Sequence, residues 1–328
     1  MRINVKRHAL LFFLLFCTVT FADPTKDQLR HNACAAAQKC LGEILPGCSE
    51  NELKPVEDID YDKEFCSIFY DLKKRGIDTR SLVTKEMFGH LGSRYRVIYE
   101  NSGILPVSGP MMSYLFDHFP FTTALVNVFQ KTNYTIHYNS PDQRLFSGDN
   151  GGNLFGDFYW AMQDSAGVEK GFHSVFYGSG RCKILRWSLH GIAIAILDMH
   201  PEGNTTRYKF RAIVFPANAV LNSIMKMGVF RDVVNSKIGE IIHNISESSE
   251  SYVAGNHMPV DSSTVIRQKY ASELEEFKQV AAGKLEWTVG DAVEKKRKEQ
   301  QIKRPIFVTE TPLIFKQQNS IQNKPAGN

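Results

Sequence analysis

Leu221, Ile224, Met225, Val233, Val234, Ile238, Ile241, Ile242 and Ile245 recur at three- and four-residue spacing, which predicts a long amphipathic helix whose apolar stripe needs a sheet to cover it. Upstream the texture changes. Tyr134 to Tyr138, Leu154 to Met162, Phe172 to Tyr177, Cys182 to His190, Ile192 to Asp198 and Thr206 to Phe215 are rich in aromatic and branched residues. Turn clusters such as Ser147-Gly148-Asp149-Asn150-Gly151-Gly152 and Pro201-Glu202-Gly203-Asn204 divide them, as expected for antiparallel strands. Before these, Tyr95 to Glu100 reads as a short strand ended by Asn101-Ser102-Gly103. Two short helices follow: Ser108-Gly109-Pro110 caps Met111 to His118, Pro120 breaks that helix, and Thr122 to Gln130 form the next.

Both ends of the chain have their own pattern. Thr25 to Ile44 is rich in helix formers and stops at Pro46-Gly47, and Tyr61 to Arg75 reads as a second helix ending at Gly76. At the other end, Ser262-Ser263 caps an expected helix from about Thr264 to Lys303, with a thin stripe of Val265, Tyr270, Leu274 and Phe277 weakened by Gly283 and Gly290. A tail follows Pro305, with one apolar patch, Pro312 to Phe315. The expected division is a leader over residues 1–22, a helical module over 23–80, an α+β domain over 91–250, and a polar helix with a flexible tail over 251–328.

The order of strand, two short helices, about six antiparallel strands and a long helix, over roughly Leu91 to Ser249, resembles the START-like, helix-grip family. The resemblance implies an antiparallel sheet wrapped on a long carboxy-terminal helix, enclosing a cavity for lipids, sterols or other apolar molecules. It does not imply catalysis, because function belongs to a site and not to an architecture. An ordinary α+β sheet with a helix on one face is the plainer alternative.

Composition narrows this picture. With 328 residues, 43% of them hydrophobic and 23% charged, the chain can bury a substantial core. Arg2, Lys6 and Arg7 precede the apolar run Ala9 to Phe16, and Thr20-Phe21-Ala22 offers a cleavage site. That is the pattern of a secretory leader, too short to span a bilayer, so a periplasmic or extracellular protein is expected. The formal charge of +4 includes three leader cations and no leader acids, which leaves +1 after cleavage and argues against a nucleic-acid partner.

Export makes disulfides available to Cys34, Cys40, Cys48 and Cys66, with three connectivities open; Cys182 stands apart as a buried thiol or a bridging one. A zinc site is the rival reading, but the spacing lacks close cysteine pairs.

Candidate chemistry is sparse. If Cys182 to His190 is one strand, Ile184, Arg186, Ser188 and His190 share a face, and Arg186 and His190 would orient a ligand head group should that face point inward. Trp160, Tyr177, Trp187 and Tyr208 complete the expected ligand-binding set as apolar lining, although core packing explains them equally well. Asp149, Asn153 and Asp157 do not follow the EF-hand order, and Gly178-Ser179-Gly180 lacks a full nucleophile elbow. No metal-hydrolase, Walker or dinucleotide motif occurs, so neither metal nor cofactor is expected. The leading expectation is a non-catalytic carrier or sensor of an apolar molecule. The alternatives are an enzyme using Arg186, His190 and Asp198, or an envelope protein that engages a protein partner through its cystine hairpin and tail.

Overall fold

The computed structural model describes residues 25–56, 61–91, 93, 95–140, 142–152, 154–163, 171–184, 187–216, 219–292 and 295. The expected leader, Asn153, Arg186 and the tail after Pro305 lie outside them. No helix among the described residues is long and apolar enough to cross a membrane.

Helix α1 (Lys26–Leu41) opens on a reciprocal cap: Thr25 Oγ1 accepts from the Gln28 amide, and the Gln28 side chain accepts from the Thr25 amide. Gly42, at φ 68°, ends it before Pro46, because a left-handed residue lets the chain turn back onto the last helical carbonyls. Asp62 caps α2 (Lys63–Lys74). Helix α3 (Leu82–Leu91) has no counterpart in the sequence pattern. Every residue from Val83 to Leu91 is buried, including Lys85, Glu86 and His90, so no polar face exists for a periodicity to reveal. Buried Ala33, Ala36 and Ala37 belong to the same core, and a Cβ at Gly89 would stand 2.2 Å from the Leu29 carbonyl oxygen, so only glycine admits this approach of α3 to α1.

Two interleaved disulfides, Cys34–Cys48 and Cys40–Cys66, tie α1 to the following turn and to α2, while Cys182 is a free thiol. Non-reducing peptide mapping should recover these two pairs with Cys182 alkylatable, and removing either bridge should cost about 2–5 kcal/mol. Recovery of a Cys182 bridge would contradict the pairing.

The sheet has seven antiparallel strands: β1 (Val97–Leu105), β2 (Thr135–Tyr138), β3 (Leu145–Asp149), β4 (Leu154–Gln163), β5 (Phe172–Ile184), β6 (Trp187–Glu202) and β7 (Thr205–Pro216), in the order β1-β7-β6-β5-β4-β3-β2. Helices α4 (Gly109–Asp117) and α5 (Phe119–Gln130) fall between β1 and β2. In outline this is an α+β helix-grip arrangement. Nothing in it singles out the START-like family.

Several expectations are corrected. Ile184 pairs with Trp187, so Cys182 to His190 is not one strand but the two sides of a β5–β6 hairpin; apolar alternation runs through that hairpin without a glycine or asparagine to mark it. Asn101-Ser102-Gly103 lies inside β1, and Ser147 to Asp149 inside β3, because cross-strand pairing overrides local turn preference. As expected, the two short helices part just before Pro120, which sits in the first turn of α5, where its missing N–H costs nothing, while its ring and lost donor bar α4 from continuing.

The long amphipathic helix divides into α6 (Ala219–Lys226) and α7 (Gly228–Val253) at the extended residue Met227, and it is not the last helix. Over the described residues the helix expected from Thr264 to Lys303 is divided into α9 (Thr264–Lys269) and α10 (Ala271–Ala281), preceded by α8 (Met258–Ser262); residues 293–294 and 296–303 of it lie outside the described residues. Beyond α10 the chain turns at Gly283, φ 67°, and buries Trp287, Val289 and Ala292.

The sheet is covered on both faces. Against the outer face, Val175, Tyr177, Ile192, Ile194, Ile196, Ile213 and Phe215 share one core with the cystine-linked helices, including Phe65, Phe69, Met87 and Phe88. The amino-terminal helices, which are too small to bury much by themselves, thus find their apolar partner within the chain. Against the inner face, Trp160, Phe172, Phe176, Leu197, Met199 and Tyr208 pack with α4, α5, α10 and residues of α7 such as Ile242 and Tyr252.

Candidate ligand site on the inner face of the sheet

Strand alternation puts Trp160, Phe176, Leu197 and Tyr208 on the inner face, where their neighbours are aromatic. The Trp160 ring lies 5.6 Å from Phe119 and 5.3 Å from Phe176, and Phe146 stacks on Phe158 at 5.5 Å. Such a shell supplies apolar area through side chains with few rotors. A β-bulge interrupts β4 between Trp160 and Met162. It shifts the register by one residue, so Met162 joins the outer core while Gln163 pairs with Ser174 on the inner side.

This patch contains polar atoms without partners. Trp160 Nε1, Gln163 Nε2 and Ser174 Oγ are all buried and make no hydrogen bond among the described residues; Trp160 is 1% exposed and Ser174 0%. Leaving a buried donor unpaired costs about 1–3 kcal/mol. Three in one patch of paired strands is expensive for a core that packing alone would fill with carbon. A fourth, Ser246 Oγ, is buried on α7.

A polar chain links the sheet to α7. Tyr208 Oη donates to Asn101 Oδ1 at 2.5 Å, and Asn101 Nδ2 donates to the Asn235 carbonyl at 3.4 Å. Gly103 is required beneath Tyr208, since a Cβ there would meet the ring at 2.9 Å. Burial raises the Tyr208 phenol above its ordinary value, so it remains a donor. Close by, Tyr99 Oη donates to the Met225 carbonyl at 3.0 Å and fixes the end of α6.

Of the six residues expected to bind ligand, only Trp160 and Tyr208 have inner-face side chains that the structure describes. Tyr177 faces the opposite way, in the outer core 5.8 Å from His90, because it is one residue out of phase with Phe176. His190 is exposed and has the parity of outer-face Ile192; the inward orientation assumed a continuous strand that the hairpin breaks. Arg186 lies outside the described residues, as does the side chain of Trp187. Gln163, Ser174 and Asn101 had no signal of their own in the sequence: a bulge and a strand through turn-forming residues place them.

The acidic candidates have structural roles. Asp198, on the outer face, is held by Arg75 of the α2 terminus and by His173 Nδ1, 2.7 Å from its Oδ1. Burial alone would raise this carboxyl, but the bonds from His173 and Arg75 outweigh it and bring it down to about 2. A carboxylate so engaged latches the helices to the sheet and is a poor general base. Asp149 accepts from the Gly151 amide within the β3–β4 turn, and Asp157 accepts from Ser147 Oγ. No group of three metal-ligating side chains occurs among the described residues.

No family model matches the chain, and no curated protein matches it. Among solved structures, the chain is similar to the crystal structure of Ara h 8.0201, with a TM-score of 0.34 and 9% identity over 46% of this chain and 96% of that one. It is also similar to the Mll3558 protein from Rhizobium loti, with a TM-score of 0.26 and 11% identity over 43% of this chain and 96% of that one. Neither likeness carries a functional assignment.

Proposed function

We propose that the protein is an exported, non-catalytic carrier or sensor of an apolar small molecule, such as a lipid, held between the inner face of the sheet and the helices α4, α5 and α7. The observation that carries this reading is the set of unpartnered buried donors, Trp160 Nε1, Gln163 Nε2 and Ser174 Oγ, set in an aromatic wall. A ligand with an apolar body and one or two oxygen acceptors satisfies both kinds of surface at once. Because Phe119 lies against Trp160 and Phe176, entry requires α5 to part from β4 and β5, and displacing that ring exposes the donors. Export is supported by the leader pattern and by two disulfides, which persist in oxidising compartments.

Native mass spectrometry of the secreted protein tests the proposal. A retained apolar molecule, bound one per chain and recovered unaltered, is the expected result. Ser174→Ala should lower its occupancy while leaving the empty protein as stable or up to about 1 kcal/mol more stable, since an unpaired hydroxyl is removed. A secreted protein without bound ligand, in which Ser174→Ala simply destabilises, would show that the inner face is ordinary core.

A further inference from the structure

The outer face of the sheet is covered over only part of its area. Where α2 runs past β1, β6 and β7, the odd-numbered residues of β7 change from Ile213 and Phe215 to exposed or half-exposed Arg207, Lys209 and Arg211, and an open trough remains. Its two halves have volumes of about 360 and 640 Å³ and share Ser67 and Arg211. The first is bordered by Asp71, Lys74, Arg75, Asp198 and Lys209, the second by Glu64, Arg96, Glu100, Lys226 and Arg231.

The carboxylates along this trough are already engaged. Arg75 takes Asp71 and Asp198, Arg211 takes Glu100, and Glu64 faces Arg96. Lys74, Lys209, Lys226 and Arg231 have no ion-pair partner among the described residues. Arg96 lines the second half of the trough. Its side chain is only 8% exposed and its guanidinium bonds Asp62 on one side, yet its buried Nε makes no hydrogen bond, a Glu64 oxygen standing 3.9 Å away. The trough thus sets four cations without ion-pair partners among the described residues, Lys74, Lys209, Lys226 and Arg231, around the half-exposed Arg211.

We infer that this trough binds a compact oxyanion carrying two or more phosphate groups. Guanidinium forks and ammonium groups match phosphate oxygens, and clustered cations attract strongly only within the screening distance of roughly 8–10 Å. The chain's near-neutral overall charge gives no long-range field for an extended polyanion, so the attraction is local and the ligand small. The strand residues Lys209 and Arg211 lie on the face opposite Trp160 and Tyr208, and the cations Lys226 and Arg231 of α6 and α7 play no part in the apolar-ligand proposal, so the two can be tested apart.

Isothermal titration of the full secreted chain with inorganic pyrophosphate is the test, with Lys226→Glu/Arg231→Glu as the variant. Both residues are exposed, so an unchanged melting temperature verifies the fold. Saturable binding that weakens by about tenfold or more in this variant, and not in an Arg267→Glu/Lys284→Glu control, is expected. Phosphatidylglycerol vesicles, whose headgroup carries a single phosphate, form the second arm: vesicle binding without pyrophosphate binding overturns the compact-oxyanion reading in favour of a membrane surface. Absence of binding in both arms, or equal affinities for variant and control, overturns the site.

Discussion

An Asp117→Ala variant is expected to release the chain from Leu285 to Ala292 and to lower the stability of the whole protein by about 4 kcal/mol, since three buried donors lose their acceptor at about 1–3 kcal/mol each. Asp117 ends α4 at 1% exposure. Its carboxylate accepts from Trp287 Nε1 at 3.0 Å, from the Gly290 amide at 2.8 Å and from the Ala292 amide at 3.3 Å. Trp287 in turn packs on Tyr114 and His118. A red shift of tryptophan emission, together with a lower urea midpoint, is the readout; an unchanged midpoint would mean that this acceptor does not anchor the segment.

The same residue has a pH consequence. Burial pushes the Asp117 carboxyl up to about 7, against the bonds from Gly290, Trp287 and Ala292. A folded pKa above the unfolded one favours the folded state when the group is protonated. Its contribution is therefore complete below about pH 4 and lost as pH rises through about 7. His90 acts in the opposite sense. Burial lowers it to about 3, so its contribution is lost as pH falls from about 6.5 toward 3. The difference between wild type and Asp117→Asn isolates the first effect: from about pH 8 to about pH 5, wild type should gain about 2–3 kcal/mol relative to the variant. Parallel stability curves would show that Asp117 does not titrate in this range.

The second large effect is expected at Ile242→Asp, which should abolish the cooperative unfolding transition. Ile242 is 7% exposed and lies in the inner core, on the same stripe of α7 as Ile238 and Ile245. An unpaired carboxylate there costs several kcal/mol, comparable with the typical net stability of about 5–15 kcal/mol. Ser236→Asp, exposed on the same helix, should stay within about 0.5 kcal/mol of wild type. Similar melting for the two variants would show that α7 is not held against the sheet and would remove one wall of the proposed ligand site.

Much of the architecture was legible because some elements bury only one side. The stripe of α7 and the aromatic strands β4 and β7 leave a period in the sequence, and Ser263 marks the start of α9 as a cap. The four clustered cysteines announced two bridges, yet spacing alone could not choose Cys34–Cys48 and Cys40–Cys66. Helix α3 was illegible for the opposite reason: buried on all sides, it carries lysine, glutamate and histidine into the interior and shows no stripe. Asp117 and Trp287 are 170 residues apart, and no local pattern anticipates a contact of that range.

The candidate site divides in the same way. Trp160 and Tyr208 could be named for their residue type alone, as aromatic side chains in strands, which says nothing of the face they occupy. Which face lies inside depends on register, and register was settled by the bulge after Trp160 and by the hairpin between Ile184 and Trp187. The bulge brought Gln163 beside Ser174 and the hairpin set the face of His190, while Tyr177 falls on the outer side because it alternates with Phe176 within β5. The sequence by itself determined the stripe of α7, most of the strands, the two short helices between β1 and β2 and the cysteine cluster, all properties of neighbouring residues. The tertiary structure decided the disulfide pairing, the two-sided covering of the sheet, the buried donors and the cationic trough, because these depend on contacts between segments that local propensity does not encode.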